Sequence, residues 1–272
     1  MFSDLLAYWE RLNRVDLSLV SAGVAFFGFL SIFPAIAATI TIWGFAFDPA
    51  VIQSQLDLAE DFLPAGAYDL LYGQVQRLLA TNTRSLGLAT ILSALLALWS
   101  SRAGVGALIS GLNALHDFPA RGGVRHVIWA LVLTVTLIGL VLAAMALTVV
   151  LPLVLAALPM LDEARITGMI GINYVLGLLF VVIGIALTYR LGPNWPKGHK
   201  RPRILSPGLV IAVLLWVAVS RGLVFYLANF GEYNKVYGSI GAVVALMFWF
   251  YLSAYSVLLG AAINAVRRPP PQ

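Results

Sequence analysis

An uncharged run near the carboxyl terminus constrains this chain more than any other feature of its sequence. Between Lys235 and Arg267 no residue carries a charged side chain. As an α-helix rising about 1.5 Å per residue, the run would be about 45 Å long, which exceeds the hydrocarbon core of a bilayer at about 30 Å. A helix of that kind is not stable in water, so we expect a membrane protein.

The composition points the same way. The 272 residues are 61% hydrophobic and 11% charged, with a mean hydropathy of +0.92, whereas soluble domains carry about 25% charged residues. The absence of cysteine excludes disulfides, thiolate nucleophiles and cysteine-based metal sites. Residues 1–16 lack the pattern of a removable signal peptide and predict a short amphipathic segment on the membrane surface.

Six stretches poor in charge are predicted to be transmembrane helices. They cover residues 17–47, 85–115, 127–158, 166–189, 207–230 and 237–266. The predicted fold class is all-α: a polytopic membrane protein with six transmembrane helices, forming a single integral membrane domain over residues 1–272. The polar insertion at residues 48–84 is predicted to form amphipathic helices on the extracytoplasmic side, lying on the membrane or acting as a lid.

Loop charges predict the orientation. Six helices place both termini on one side, and with that side in the cytoplasm eleven Lys and Arg residues lie inside and four outside. We therefore expect both termini in the cytoplasm. One basic group on this side is predicted to contact anionic lipid headgroups. It consists of Arg190, Lys197, Lys200, Arg201 and Arg203.

Two arginines lie inside predicted helices. Arg102 and Arg221 are each more than about 20 Å from the start of their spans, and none of the six spans contains Asp or Glu. A charge at such a depth costs about 2.5 kcal/mol or more unless it is solvated or paired. Each arginine either extends to its nearer interface or lines a cavity that receives an anionic group. The amides that would complete such a substrate site are Asn113, Asn173, Asn229 and Asn264.

The residue types narrow the mechanism. Ion-coupled pumping usually needs an intramembrane carboxylate, which the six spans lack, and no GxxxxGK[ST] phosphate loop occurs. We predict no cofactor and no metal. Helix bending or close packing is expected at Pro34, Gly238, Gly241 and Gly260.

Nuclease chemistry would need a general acid and base, or a metal held by carboxylates. His116 and Asp117 form a lone pair with no second acidic cluster beside them, and no aromatic residue interleaves the basic loop around Lys200. We therefore expect a protein that is not an enzyme and does not bind nucleic acid.

Several motifs resemble one family. They are Tyr237-Gly238-Ser239-Ile240-Gly241, Trp249-Phe250-Tyr251-Leu252, Leu259-Gly260-Ala261 with Asn264-Ala265, Phe29-Leu30-Ser31-Ile32-Phe33-Pro34, Gly111-Leu112-Asn113, and Tyr189-Arg190 with Pro193. In these motifs the chain is similar to the YihY / virulence factor BrkB family of bacterial inner-membrane proteins, some relatives of which carried the label ribonuclease BN. The resemblance implies six transmembrane helices in the plasma membrane. Ala262 and Val266 stand where that family usually has acidic residues.

Three functions follow as hypotheses. The leading one is binding or facilitated movement of an anionic lipid or amphiphile in the cell envelope, with membrane lipids as partners. The second is a non-catalytic scaffold that joins a second copy or another envelope protein through small-residue helix faces. The third and least favoured is a membrane-bound ribonuclease.

Overall fold

The computed structural model describes residues 12, 14–46, 72–73, 76, 86–156, 163–196, 201–229 and 239–266. Within those ranges there are six long α-helices and no strand. The helices are α1 (Leu17–Ala46), α2 (Leu86–Leu115), α3 (Gly123–Ala156), α4 (Glu163–Leu191), α5 (Pro207–Asn229) and α6 (Ser239–Val266). Their bounds differ from the predicted spans by at most four residues, and the predicted all-α class is confirmed.

Local chemistry fixes two of the helix ends. At the end of α2, Asp117 adopts a left-handed φ of 54°, and the N–H of Phe118 donates to the Asn113 carbonyl at 2.9 Å. The N–H of Asp117 donates to Ala114, so the two bonds together form a Schellman motif that satisfies the last carbonyls. At the start of α5, the Ser206 hydroxyl accepts the N–H of Leu209 at 3.3 Å, as a helix cap does.

Four helices are long and apolar enough to cross a membrane, judged by length and composition over the part of the chain that the structure describes. The apolar segments are Ile91–Leu115, Gly123–Ala144, Pro207–Tyr226 and Val243–Ala265, with shorter ones at Leu17–Ile32 and Val175–Leu191. Many large apolar side chains point outward, such as Leu96, Val135, Leu214 and Phe225, while many buried residues are alanines. Large apolar residues outside and small residues between helices are typical of a protein solvated by lipid.

The chain forms two compact units. The first contains residues 1–15, 109–214 and 256–272, and the second contains residues 16–108 and 215–255. That residues 1–272 form a single membrane domain stays a prediction. In the second unit, Gly104 of α2 lies against Phe27 and Val24 of α1, and Gly28 lies under the Phe250 ring of α6. Glycine allows these helices to approach closely.

The first unit holds a second close helix crossing. Gly208 of α5 and Gly260 of α6 touch backbone to backbone, so a Cβ on either glycine would overlap the other's carbonyl. Asn264 extends this contact, because its Oδ1 accepts the Gly208 N–H at 3.0 Å and its Nδ2 donates to the Ser206 hydroxyl at 2.9 Å. Elsewhere in this unit α3 packs against α4, with Leu140 against Gly184.

Some predicted features fall wholly or partly outside the described residues. The insertion at 48–84 is described only at Tyr72, Gly73 and Gln76, all helical, so its predicted role stays a prediction. Gly238 lies outside, and Pro34 lies within the continuous α1 with its side chain outside the description. Gly241 is half-buried in α6.

Candidate functional site

The first unit contains a buried arginine that holds the end of a helix. Arg121 lies in the loop between α2 and α3 and is 9% exposed. Its Nη1 donates to the Gly192 carbonyl at 2.6 Å, and its Nη2 donates to Pro193 at 2.8 Å and to Leu191 at 3.4 Å. These carbonyls end α4 and begin the loop after it, where the negative end of the helix dipole favours a cation. Arg121 thus joins two loops that are about seventy residues apart in sequence.

The surroundings of Arg121 contain more positive charge. Its guanidinium lies 4.9 Å from the centre of the Trp129 ring, a cation–π contact. Burial, and secondly the charge of Arg125, hold the pKa of Arg121 below its usual value. A guanidinium nevertheless stays protonated at neutral pH. The group is therefore a buried positive charge satisfied by neutral carbonyls, and its charge is not cancelled.

Beside Arg121 is a cavity of about 130 Å³, which we call the arginine pocket. Its lining residues are Arg121, Arg125, Trp129, Arg190, Leu191, Pro193, Asn194, Trp195 and Arg201. Four of these nine are arginines, and none of the lining residues is acidic. Arg190 is half-buried, and Arg125 and Arg201 are exposed.

Among the described residues, three of the four lining arginines have no hydrogen-bond or ion-pair partner. Across the described ranges, Arg125, Arg190 and Arg201 make no hydrogen bond and no ion pair. Arginine presents a planar fork of donors that matches phosphate and carboxylate oxygens. The pocket therefore has the charge and the donors to bind an anionic group.

Two asparagines and an aromatic cluster fix the shape of the pocket. The Asn113 Oδ1 accepts the Asn194 N–H at 2.7 Å, and the Asn194 side chain donates to the Pro119 carbonyl at 2.9 Å. Trp195 packs edge-on against Phe118, with ring centres 5.0 Å apart, and against His116 at 5.4 Å. The loop that carries Arg121 and the loop that follows α4 are thereby held together.

Where their side chains are described, the asparagines predicted as substrate ligands accept hydrogen bonds from backbone N–H groups. Asn113 is buried, with its oxygen on the Asn194 N–H and its Nδ2 without a hydrogen-bond partner. Asn264 caps α5, as given above. The side chains of Asn173 and Asn229 lie outside the described residues. Substrate binding by these four asparagines stays a prediction.

The two arginines predicted inside the membrane belong to the second unit. The Arg102 guanidinium lies 4.3 Å over the ring of Trp99, which is exposed, and its buried Nε has no hydrogen-bond partner. Arg221 is exposed on α5. Their predicted role in binding an anion stays a prediction.

Only some of the basic residues predicted to contact lipid headgroups line the arginine pocket. Arg190 and Arg201 line the arginine pocket, Arg203 is exposed outside its lining, and Lys197 and Lys200 lie outside the described residues.

Sequence reasoning did not assign Arg121, Arg125, Trp129 or Trp195 to a site. Trp129 and Trp195 also give this basic region the aromatic neighbours that the loop around Lys200 lacks in sequence. The sequence contained one indication of this site. The loops after α2 and α4 were predicted on the same side of the membrane, and each has a tryptophan close in sequence to its arginines.

Comparison with known proteins gives a consistent family. The family model described as "Virulence factor BrkB" matches residues 8–269. The chain is 29% identical over 250 residues to YfkH of Bacillus subtilis (strain 168), whose name calls it ribonuclease-like, covering 90% of this chain and 88% of that protein. It is 27% identical over 273 residues to a UPF0761 membrane protein of Tolumonas auensis, covering 95% of this chain and 83% of that protein.

A shorter and closer match is also found. A UPF0761 membrane protein of Xanthomonas campestris pv. campestris (strain B100) is 39% identical over 97 residues, covering 32% of this chain and 22% of that protein. No solved structure matches the chain.

Proposed function

The chain belongs to the virulence factor BrkB family of membrane proteins, and on that premise we propose that it binds the anionic headgroup of a lipid or amphiphile in the arginine pocket and helps it to move within the envelope. One observation carries the proposal: four arginines line one small cavity, and the described residues of its lining include no carboxylate. In a membrane, the abundant anions that match arginine are lipid phosphates.

Electrostatics support the assignment. Arg125 and Arg121 repel each other, and burial removes Arg121 from the water that would otherwise screen its charge. An anion in the pocket would relieve this repulsion and accept hydrogen bonds from arginines that make none with the described residues. Binding therefore gains charge-assisted hydrogen bonds without breaking existing ones.

The proposal includes a location. We place the protein in the bacterial inner membrane with both termini and the arginine pocket facing the cytoplasm. The excess of Lys and Arg in the loops of that side supports this orientation. Independently of the pocket, Arg102 and Arg221 are proposed to offer positive charge to an anionic headgroup within the membrane.

Purified protein tests binding directly. The double variant Arg125→Gln, Arg190→Gln removes two guanidiniums of the pocket lining while leaving Arg121 on its carbonyls. We expect anionic lipid that co-purifies with the protein, measured by native mass spectrometry, to fall about tenfold. Arg203→Gln is the control, because it removes an exposed arginine that lies outside the pocket lining. Equal lipid content in all three proteins would overturn the proposal.

A scaffold role is the second candidate, and α3 carries the observation that favours it. Gly139 and Ala143 are exposed on that helix, and a Cβ on Gly139 would meet nothing within 4 Å. Small residues on an open helix face suit a partner helix. Stoichiometric crosslinking to another membrane protein that is lost in Gly139→Leu, together with unchanged lipid content in the arginine variants, would favour this function.

A ribonuclease is the third candidate, taken from the name of the Bacillus relative. The His116 Nδ1 lies 2.8 Å from the Leu112 carbonyl, and Asp117 pairs with Arg14 at 3.4 Å. Among the residues that the structure describes, no group of three His, Cys, Asp or Glu side chains is suited to hold a metal. Metal-dependent RNA cleavage that disappears in His116→Ala and Asp117→Asn would establish this activity.

A further inference from the structure

The pocket's size limits what it can hold. Pockets for drug-sized molecules measure about 300–1,000 Å³, whereas the arginine pocket measures about 130 Å³. A cavity of that volume accommodates a phosphate group with a few waters. A headgroup that carries a sugar is larger than the cavity and would extend beyond it. The ligand therefore presents its phosphate directly to the arginines.

The pocket's charge sets how much negative charge it prefers. Arg121 gives its donors to carbonyls, so its positive charge stays uncompensated, and three further arginines add theirs. A phosphodiester brings one negative charge. A phosphomonoester brings nearly two at neutral pH, because its second pKa is about 6. The doubly charged group gains more from the same donors.

Exposed apolar side chains are close in sequence to the arginines of the pocket. Val124, next to Arg125, is 77% exposed, and Leu205 and Ile204, which follow Arg201 closely, are 75% and 56% exposed. Exposed apolar residues beside cations are typical of segments at the boundary between headgroups and acyl chains. Trp129 and Trp195 are half-buried in the pocket wall, and tryptophan is enriched at that level of the membrane.

From these three observations we infer that the arginine pocket binds a membrane-resident lipid whose headgroup is a terminal phosphomonoester, with the acyl chains lying over Val124, Ile204 and Leu205. The inference rests on the proposed function and specifies its ligand. A soluble phosphate compound could present the same phosphate group to the arginines. Only a lipid would also need Val124, Ile204 and Leu205, which we call the apolar rim.

The experiment uses full-length protein in lipid nanodiscs with three probes: phosphatidic acid, phosphatidylglycerol and inorganic pyrophosphate. We expect phosphatidic acid to bind about tenfold more tightly than phosphatidylglycerol at pH 8. Equal affinity for the two lipids would overturn the phosphomonoester assignment. Pyrophosphate that binds as tightly as phosphatidic acid would overturn the lipid assignment in favour of a soluble phosphate.

Variants separate this inference from the proposed function. Leu205→Asn is expected to weaken phosphatidic acid binding and leave pyrophosphate binding unchanged, while Leu205→Phe, which keeps the side chain apolar, restores lipid binding. Unchanged lipid binding in Leu205→Asn removes the apolar rim from the site. Arg125→Gln weakens all three probes; if it weakens none, the proposed function itself fails. Displacement of phosphatidic acid by single-stranded RNA would assign the pocket to nucleic acid.

A pH series gives an independent readout. The ionisable side chains of the described lining are its four arginines, and guanidinium groups are not deprotonated in proteins. Binding to them holds the phosphomonoester pKa below its free value of about 6. Phosphatidic acid affinity is therefore full above that value and falls as the pH drops through the pKa of the bound phosphate. His116 contacts Trp195, so phosphatidylglycerol serves as the control for any pH effect on the protein itself. Parallel profiles for the two lipids would contradict the inference.

Discussion

Replacing Arg121 tests whether this buried guanidinium holds the two pocket loops together. Arg121→Met keeps the length and apolar volume of the side chain but removes every hydrogen-bond donor. Three carbonyls lose their partner, two of them at 2.6 and 2.8 Å, and the stacking contact on Trp129 loses its charge. The affected carbonyls belong to Leu191, Gly192 and Pro193.

The magnitude follows from these contacts. Hydrogen bonds to a charged group contribute about 1.5–3 kcal/mol each, and a partly buried cation–π contact contributes about 1 kcal/mol. Removing the buried charge also recovers part of its desolvation cost. We expect a net loss of about 3–5 kcal/mol in the free energy of unfolding. This loss exceeds the usual effect of a surface substitution by several-fold.

The assay is unfolding of the purified protein in mixed micelles, followed by tryptophan fluorescence. Arg203→Met is the matched control, since Arg203 is exposed and lies outside the pocket lining, and its expected change is within about 0.5 kcal/mol. Arg121→Lys is expected to fall between the two, because an ammonium reaches fewer of the carbonyls. If Arg121→Met unfolds with the same midpoint as Arg203→Met, the guanidinium does not hold the loops.

Three further predictions concern other contacts. Gly260→Ala places a Cβ against the Gly208 carbonyl and 2.5 Å from the Tyr189 hydroxyl. The free energy of unfolding in micelles should therefore fall by about 1–3 kcal/mol. The control Gly139→Ala, whose Cβ meets nothing within 4 Å, should stay within about 1 kcal/mol of the parent. Asn264→Ala leaves the Gly208 N–H without its acceptor and should cost about 1–2 kcal/mol by the same method. Arg102→Leu should leave the yield of inserted protein unchanged and abolish movement of labelled anionic lipid in liposomes; unchanged movement would remove Arg102 from the path.

The sequence could predict the helices better than the candidate site. The start of α5 was predictable from Ser206 and Pro207, because a hydroxyl followed by proline is a helix-start pattern. The pocket was not predictable in the same way. Arg190 and Arg201 could be assigned to a basic surface from their loop, yet nothing in the sequence says that Arg121 turns towards the end of α4.

Asn264 illustrates the limit for residues inside helices. A helix that is apolar all round carries no polar stripe, so the sequence does not tell which of its residues face another helix. Asn264 was therefore a candidate ligand for an intramembrane arginine. The tertiary structure turns it to the backbone of α5, where its oxygen accepts the Gly208 N–H.

The sequence by itself determined that the chain is a set of apolar helices in lipid, since the length of an uncharged run and the cost of charge in hydrocarbon are local properties. Only the tertiary structure determined which positively charged side chains lie together. Arg121 and Arg125 lie at or just after the loop that follows α2, and Arg190 and Arg201 lie around the loop that follows α4. The hydrogen bonds from Arg121 to carbonyls at the end of α4 join these two segments. Such a meeting depends on packing between helices, which no local pattern specifies.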